Sequence, residues 1–470
     1  MAYEIEKDGR TYYPLTISQK DIVMGEECGK AYSNICIVFT FDTKVDADVM
    51  EKAVNAALER MPTAKLRKHN FSDEQDPKKK VILQYFSDEP IPMAERMSFK
   101  SEEKMKKYLA KLSKKPFPNE VQDVALYQVI IIDLPDDKTA LYCKMNHFIN
   151  DAYGIMVLAK DAIGIYDAMT EGKEYPSAPT PALPAFEEQW SNEGSAIEAR
   201  NQAYWDEFWR THDIPNWATL NPADKDKMRV KGEEHYGNQF NIFHLKAKHV
   251  EYPFKKELVD KVNKYAADNG ISAQAIFLLA YRCYLAKMSG NETMVIQTMN
   301  ANRSKKAEKY TGGTLVTGYL FYFDVKNNAS FAEACKHTSK AQLSYYKHCK
   351  IYGQKSNKVL DANIPKDQIF VNGNIRKWTT NMFTYQPYQI DLDTKVKFHM
   401  ERLTSGLTAM QVYLTVMYMD NYSGDLMGCY DYATYTLDEN KIKAFHDFIC
   451  RFFENGVNNP NLTLAELMEM

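Results

Sequence analysis

A histidine and an aspartate four residues apart are the side chains of this sequence whose types and spacing best suit chemistry. His147 and Asp151 stand in the run Met-Asn-His-Phe-Ile-Asn-Asp-Ala-Tyr-Gly at residues 145–154. An imidazole with an ordinary pKa of about 6.5 is largely neutral near pH 7 and can accept a proton from an attacking amine or hydroxyl. The same residues also fit a hydrogen-bonded core histidine followed by a helix-capping aspartate. The pair alone leaves a catalytic and a structural interpretation open.

The elements on either side of this run determine what it can reach. Two apolar runs, residues 126–134 and 139–145, flank a Pro-Asp-Asp-Lys sequence at 135–138, which predicts a β-hairpin. After the run, apolar residues recur with helical spacing as far as Gly172, which predicts a helix. The histidine and the aspartate would then lie on a strand-to-helix connection, where side chains commonly enter a cleft.

Strands and helices are predicted to alternate along the rest of the chain. Residues 34–41 are aromatic and β-branched, as in a buried strand, and residues 46–62 carry an apolar helical stripe closed by a proline. Residues 175–184 contain four prolines and mark the predicted boundary between two lobes. This alternation predicts the α/β class, with mixed α+β architecture.

Charge and composition exclude several classes of function. The 470 residues include 59 Lys and Arg against 62 Asp and Glu, a formal net charge of −3, which argues against nucleic-acid binding. Eight cysteines without a Cys-x-x-Cys pair predict reduced thiols and no metal site. The sequence has no phosphate-cradling or dinucleotide motif, so no bound cofactor is predicted. The charged N-terminus and the lack of a bilayer-length apolar run predict a cytoplasmic protein without a membrane span.

The run at 145–154 resembles the His-His-x-x-x-Asp-Gly active-site motif of nonribosomal peptide synthetase condensation domains and of the wider chloramphenicol-acetyltransferase-like superfamily. His147 and Asp151 match the motif, whereas Asn146 replaces its first histidine and Ala152 replaces its glycine. Further similarities extend the resemblance over about residues 12 to 467. They are the Tyr-Pro-Leu-Thr-Ile-Ser-Gln run at 13–19, the Phe-Glu-Glu-Gln-Trp run at 186–190 with Tyr-Trp at 204–205, Asn302-Arg303, and the closing segment 430–467.

The resemblance implies a fold and a set of residue roles. It implies two chloramphenicol-acetyltransferase-like lobes, residues 1–178 and 179–470, arranged as a V with the active site at their interface. Asp151 would form a structural ion pair with Arg303, the residue at the family's arginine position. The backbone N–H near Ala152 would stabilise an oxyanion, and Asn146 would complete the catalytic segment.

The resemblance also implies an activity. The donor would be an acyl thioester on a phosphopantetheine arm, either acyl-CoA or an acyl or peptidyl carrier protein outside this chain, and the acceptor a small amine or alcohol. His147 would orient or deprotonate the acceptor, without a covalent enzyme intermediate. The lysines at 78–80 and 104–115 could bind the donor's phosphates, although a solvated helix face explains them better. Two alternatives remain: a non-catalytic domain that recruits a carrier protein or partner enzyme, and a small-molecule binder.

Overall fold

The computed structural model describes residues 3–26, 28–72, 80–118, 123–224, 227, 238–371, 373–388 and 394–470. Helices and strands are interspersed throughout these residues, as the sequence predicts. The helices described are α1 (Ile17–Glu26), α2 (Ala47–Arg60), α3 (Glu102–Leu112), α4 (Ala152–Glu171), α5 (Leu183–Asn192), α6 (Ala196–Thr211), α7 (Lys256–Asp268), α8 (Ala273–Ser289), α9 (Lys306–Lys309), α10 (Phe331–His348), α11 (Gly353–Ser356), α12 (Lys358–Asp361), α13 (Glu439–Asn458) and α14 (Leu464–Glu469).

The described strands fall into four sheets. They are β1 (Ile5–Lys7), β2 (Arg10–Pro14), β3 (Asn34–Phe41), β4 (Leu66–Ser72), β5 (Lys80–Phe86), β6 (Glu95–Ser98), β7 (Tyr127–Asp133), β8 (Thr139–Asn146), β9 (Asn238–Asn241), β10 (Ala247–Phe254), β11 (Met294–Asn300), β12 (Thr317–Phe323), β13 (Phe370–Val371), β14 (Asn374–Lys377), β15 (Asn381–Gln386), β16 (Phe398–Leu403), β17 (Val412–Tyr418) and β18 (Leu426–Ala433). Two small sheets, β1-β2-β5-β4 and β13-β14-β9, accompany the two larger ones.

The N-terminal lobe is built on the sheet β16-β3-β8-β7-β6. Strands β7 and β8 form the predicted antiparallel hairpin, and β3 and α2 occupy the predicted residues. Helices α2 and α4 cover one face of this sheet and α3 covers the other. Helix α4 begins after Asp151, its N-cap, and ends at Gly172, whose φ of +67° suits a residue without a side chain. The predicted strand-to-helix connection is therefore confirmed.

The C-terminal lobe is built on the sheet β10-β18-β17-β15-β11-β12. Strands β11, β15 and β17 run parallel to one another, and the other neighbours pair antiparallel. The core side of this sheet packs against α8, α10 and α13, with α8 buried over most of its length. Among the described helices, none is both long and apolar enough to span a bilayer.

Strand β16 connects the two lobes. It comes late in the chain, yet it pairs antiparallel with β3 and so forms the edge of the N-terminal sheet. Its Met400 N–H donates to the carbonyl of Met419, just beyond β17 of the other lobe. The lobe boundary after residue 178 stays a prediction. Strand β16, which lies far beyond that boundary in the chain, belongs to the sheet of the N-terminal lobe. Of the proline-rich run, Pro184 lies in the first turn of α5, where a missing N–H is tolerated.

Candidate active site

His147 follows directly on the end of β8. Its backbone N–H donates to the carbonyl of Ser33 at 2.7 Å, and its own carbonyl accepts a hydrogen bond from the hydroxyl of Thr314 in the C-terminal lobe. The residue is half-buried, and its Nδ1 forms no hydrogen bond with any described residue. Burial lowers the pKa of His147 below 6.5, Asp151 and the residue's own carbonyl partly oppose this, and the charge of Arg402 lowers it further. The imidazole is therefore neutral near pH 7.

Asp151 and Arg303 form a buried ion pair across the lobes. The Nη2 of Arg303 lies 2.9 and 3.1 Å from the two carboxylate oxygens, and the guanidinium and carboxylate side chains are only 1% and 2% exposed. The carboxylate also accepts the N–H of Gly154 at 2.8 Å and that of Leu315 at 3.1 Å. Asp151 therefore caps α4 and binds the opposite lobe with the same carboxylate.

The segment of residues 311–315 carries the other half of this contact. Arg303 donates to the carbonyls of Glu308, Thr311 and Gly313, so its charge is surrounded by acceptors. Gly313 has a φ of +104°, and a β-carbon there would lie 2.9 Å from Phe186. Glycine is the residue that satisfies both constraints without strain.

Asn150 is a site residue that the sequence patterns did not identify. Its buried Oδ1 accepts the N–H of Gly313 at 2.6 Å, which adds a further interlobe bond beside the ion pair. A β-carbon at Gly154 would lie 2.4 Å from the same oxygen. No local pattern distinguishes Asn150, which stands between Ile149 and Asp151, because its partner is 163 positions away.

Ala152 is the first residue of α4. The motif's glycine position needs no left-handed backbone here, because Ala152 is not among the described non-glycine residues of positive φ. A methyl group therefore carries no conformational penalty at this position. The N–H of Ala152 belongs to the first turn of the helix, where backbone donors lack intrahelical acceptors.

Asn146, at the position of the first motif histidine, is fully buried and hydrogen-bonded. Its Oδ1 accepts the N–H of Phe148 at 2.8 Å, and its Nδ2 donates to Glu26 of α1 at 2.8 Å. Glu26 pairs with Lys68 at 2.7 Å. The amide thus fixes the backbone beside His147 and connects it to α1.

Four charged residues form a second group between the lobes, here called the interlobe charge cluster: His249, Glu251, Arg402 and Asp431. The imidazole of His249 lies 2.9 Å from Asp431 through Nδ1 and 3.0 Å from Glu251 through Nε2. Arg402 of β16 donates to Asp431 through Nη2 at 3.4 Å and to Glu251 through its backbone N–H at 3.1 Å. The cluster therefore joins β16 to β10 and β18.

The protonation of the cluster follows from these contacts. Burial alone would lower the pKa of His249, but Asp431 and Glu251 raise it to about 9. Burial would raise the pKa of Asp431, but His249 and Arg402 hold it below its usual value. At neutral pH the cluster therefore holds two cations and two anions. Ligand atoms of His249, Glu251 and Cys429 lie within 4.8 Å of one another, but the guanidinium beside them opposes a further cation.

Other sequence features lie away from His147. Lys78 and Lys79 are outside the described residues, and the lysines of α3 face solvent, with Lys106 paired to Glu401 at 2.6 Å. An apolar cavity inside the N-terminal lobe and an open surface cavity between α8 and α13 are lined by no residue of the motif. Neither cavity belongs to the site around His147.

Two mixed α/β lobes, with a histidine loop held at their interface, define the class of chloramphenicol-acetyltransferase-like proteins. The chain matches the Condensation domain family over residues 10–470, and it belongs to that family. It is 21% identical to surfactin synthase subunit 1 of Bacillus subtilis (strain 168) and to gramicidin S synthase 2 of Aneurinibacillus migulanus, in each case over 97% of this chain. The alignments cover 12% and 9% of those proteins, so the chain spans about a tenth of their length.

Solved structures agree with this assignment. The condensation domain of the monacolin K polyketide synthase MokA superposes with a TM-score of 0.78 at 15% identity, over 98% of this chain and all of that one. The first condensation domain of the calcium-dependent antibiotic synthetase gives a TM-score of 0.74 at 14% identity, over 97% and 98% of the two chains. The predicted family and two-lobed fold are therefore confirmed.

Proposed function

We propose that this chain is a condensation-type acyltransferase that joins the acyl group of a phosphopantetheine thioester to an amine or alcohol. The observation that carries the proposal is a neutral, half-buried His147 on a loop held from both lobes. A neutral imidazole can act as a base at physiological pH, and a loop fixed by several interlobe bonds can position it. Membership of the condensation family supports the same role.

The proposed acyl transfer needs no covalent bond between the acyl group and the enzyme. The acceptor's nitrogen or oxygen attacks the thioester carbonyl carbon, forms the new bond and gives its proton to His147. The resulting oxyanion is stabilised by the N–H at Ala152, in the first turn of α4, where the helix dipole favours negative charge. Collapse of this intermediate breaks the carbon–sulfur bond, and the imidazolium returns its proton to the leaving thiolate. Asp151 takes no part in proton transfer, because its carboxylate already accepts from Arg303 and two backbone N–H groups.

The two ring nitrogens of His147 differ in their surroundings, and Nδ1 is buried without a hydrogen-bond partner among the described residues. In the proposed mechanism the other nitrogen, Nε2, is the base.

Complexes of structural neighbours support a thioester donor. A variant of the starter condensation domain of rhizomide synthetase has been solved in complex with C8-CoA, at a TM-score of 0.75 and 14% identity to this chain. A second variant of that domain holds C8-CoA together with Leu-SNAC. By analogy, we infer an acyl-CoA or a carrier-bound acyl group as donor here, with acyl or peptidyl carrier proteins as partners.

A second candidate is a non-catalytic condensation-like domain that recruits a carrier protein. It is favoured by Asn146, because the amide at the first histidine position is committed to Glu26 and to the backbone of Phe148. It is disfavoured by His147, whose placement and neutral state serve no recruiting role.

The deciding experiment is product detection by mass spectrometry. The protein is incubated with a panel of acyl-CoA and acyl-carrier thioesters, each combined with amines and alcohols. We expect at least one amide or ester product, together with one free thiol per product. Binding of a carrier protein without consumption of any thioester in the panel would favour the non-catalytic alternative.

A further inference from the structure

Helix α3 carries a row of lysines whose ammonium groups have no partner among the described residues. Lys104, Lys107 and Lys111 follow one another at intervals of three and four residues, and Lys114 continues the row in the turn after the helix. All four side chains are exposed, and together they are here called the α3 lysine stripe. Glu103 borders the stripe in the first turn, but within the described part of the chain it forms no ion pair with Lys107. This face of the helix therefore carries an excess of positive charge.

Helix α7 shows a different arrangement of lysines on an exposed helix. Its Lys256 and Lys264 lie 2.5 and 2.8 Å from aspartates four residues further along the same helix. On α3 the residue four positions after Lys107 is another lysine, Lys111. Like charges at this spacing destabilise a helix slightly. The stripe therefore does not serve the stability of α3, and a negatively charged partner would relieve the repulsion within it.

The C-terminal end of α3 adjoins the strands that carry the His147 loop. The carbonyls of Ser113 and Lys115 accept hydrogen bonds from the Nδ2 of Asn34 at 3.1 and 2.9 Å. Asn34 begins β3, and the carbonyl of the preceding Ser33 accepts the N–H of His147. The stripe itself lies away from the imidazole, on the outer side of the N-terminal lobe, but the helix that carries it ends at the base of this loop.

The same end of α3 lies at the junction of the two lobes. The side chain of Lys114 packs beside Gly406, where an added β-carbon would lie 3.3 Å from the Cδ of that lysine. Gly406 belongs to the connection between β16 and β17, and its carbonyl accepts the N–H of Ala247 in β10 of the C-terminal lobe. Nearer the start of the helix, Lys106 pairs with Glu401 of β16 at 2.6 Å. A partner bound to the stripe would therefore lie beside the lobe junction that contains the proposed active site.

The dimensions of the stripe favour a protein over a small ligand. Lys104 to Lys111 cover about 10 Å of the helix axis, at a rise of about 1.5 Å per residue, and Lys114 extends the row. A convex helix face offers a small anion one or two ammonium groups, whereas an acidic surface of a partner protein can face the whole row. Tyr108, at the edge of the stripe, is 40% exposed and adds an aromatic side chain of the kind enriched in protein interfaces.

We propose that the α3 lysine stripe is the docking surface for the donor's carrier protein, which binds through an acidic face beside its phosphopantetheine. The inference rests on the proposed acyltransferase function and selects a carrier-bound thioester over acyl-CoA as the donor. Attraction between the stripe and the acidic face raises the rate of association and fixes the orientation of the carrier. The phosphopantetheine arm then enters at the lobe junction and extends toward His147.

The test compares donors that carry the same acyl group, the one that gives the most product. Its pantetheine thioester, its CoA thioester and its thioesters on a panel of acidic acyl and peptidyl carrier proteins are supplied with one amine acceptor. The proteins are the wild type, Lys107→Glu/Lys111→Glu and the matched control Lys336→Glu/Lys340→Glu, which makes the same change of charge at two exposed lysines of α10. We expect the α3 variant to lose about 10- to 100-fold in kcat/KM with carrier-bound donors. Its rates with the two small donors, and all rates of the α10 variant, should change little.

A binding measurement separates this inference from the proposed function. Holo carrier proteins of the same panel are titrated calorimetrically into His147→Ala, alone and combined with the α3 or the α10 substitutions. We expect at least one carrier to bind, more weakly as sodium chloride is added, and to bind about 10- to 100-fold more weakly to the α3 combination. This result supports the proposal even for a protein that forms no product. Lys107→Gln/Lys111→Gln takes the place of the charge reversal if that variant does not fold.

Three results would overturn the proposal. The first is that no carrier of the panel binds at low ionic strength; binding to phosphatidylglycerol vesicles that depends on the stripe would then assign it to a membrane surface. The second is carrier binding that the α3 variant retains, or that the α10 variant weakens equally, which would leave no specific role for the stripe. The third is an equal loss with the CoA thioester and with carrier-bound donors in the α3 variant, which would assign the stripe to the phosphates of a nucleotide.

Discussion

Two charged groups join the lobes, and they differ in how deeply they are buried and in how short their hydrogen bonds are. The Asp151–Arg303 pair is 1–2% exposed, and its carboxylate and terminal nitrogens all have partners. The Arg402–Asp431 pair is 15–21% exposed, and one terminal nitrogen of Arg402 has no partner among the described residues. Each guanidinium keeps one buried nitrogen without a partner among the described residues, Nε in Arg303 and Nη1 in Arg402. The two groups therefore differ in burial and in bond length, 2.9 Å from Arg303 to Asp151 against 3.4 Å from Arg402 to Asp431. The more deeply buried pair, with the shorter bonds, is therefore expected to be the more sensitive to the loss of one partner.

The largest effect on stability is expected from breaking the Asp151–Arg303 ion pair. Asp151→Ala or Arg303→Ala should each lower the free energy of unfolding by about 3–5 kcal/mol, because each leaves an uncompensated buried charge. The double variant should lose far less than the sum. Urea unfolding of all four proteins gives the coupling energy. The exposed Lys20–Glu193 pair, at 2.9 Å, is the control and should contribute at most about 1 kcal/mol. Additive losses at Asp151 and Arg303 would show that the two do not act as a pair.

The contribution of the interlobe charge cluster should be detectable at alkaline pH. The pKa of His249 is about 9 in the folded protein against 6.5 for an ordinary histidine, so its stabilisation is complete below pH 6.5 and is lost as the pH rises through 9. The full effect corresponds to roughly 3 kcal/mol. The difference in unfolding free energy between the wild type and His249→Gln should therefore shrink between pH 6 and pH 10. A difference that stays constant over this range would contradict the charged state assigned to His249.

The charges of Arg402 and Asp151 should shift the acidic side of the pH–rate profile in opposite directions. The pKa of His147 is below 6.5, so kcat/KM should persist at pH 6.5 and fall only under more acidic conditions. Removal of the Arg402 charge in Arg402→Gln should move this limb to higher pH, because that charge disfavours the imidazolium. Removal of the Asp151 charge in Asp151→Asn should move this limb to lower pH, because that charge favours the imidazolium. Rate profiles of the three proteins on one acceptor check both signs, and coincident limbs would contradict the electrostatic effects assigned to these residues.

The smallest effect is expected at Ala152. Restoring the motif's glycine with Ala152→Gly keeps the N–H and relieves no strain, because the alanine already has an ordinary helical backbone. The substitution should lower stability by less than about 1 kcal/mol and change kcat by less than about fivefold. Thermal unfolding and steady-state rates are sufficient to check it. A gain of tenfold or more in kcat would show that alanine impairs the oxyanion site.

Local patterns were enough to predict the elements that carry the loop. The spacing of apolar residues predicted α2 and α4, and the Pro-Asp-Asp-Lys turn predicted the β7–β8 hairpin, because helix faces and tight turns are determined by neighbouring residues. The motif resemblance then identified His147, Asp151 and Arg303 as residues to consider together. Their roles in catalysis stay predictions.

The interlobe contacts could not be predicted in the same way. The charge cluster takes its members from β10, β16 and β18, and their approach depends on β16 leaving its own half of the chain to pair with β3. Asn150 likewise acquires its role from Gly313, which no local pattern associates with it. Contacts of this kind follow from topology, and a single sequence carries little information about them.

The role of His147 is tested most directly by following a labelled acyl group through one reaction. An isotopically labelled acyl thioester and its best acceptor are mixed with the wild type, with His147→Ala and with His337→Ala, an exposed histidine of α10 that serves as the control. Intact-protein and product masses are then recorded over time. We predict labelled amide or ester from the wild type and His337→Ala, no label on the protein, and a loss of about 10²- to 10⁴-fold in His147→Ala with its fold intact. A stable acyl-enzyme, or product from His147→Ala at the wild-type rate, would contradict direct transfer assisted by His147.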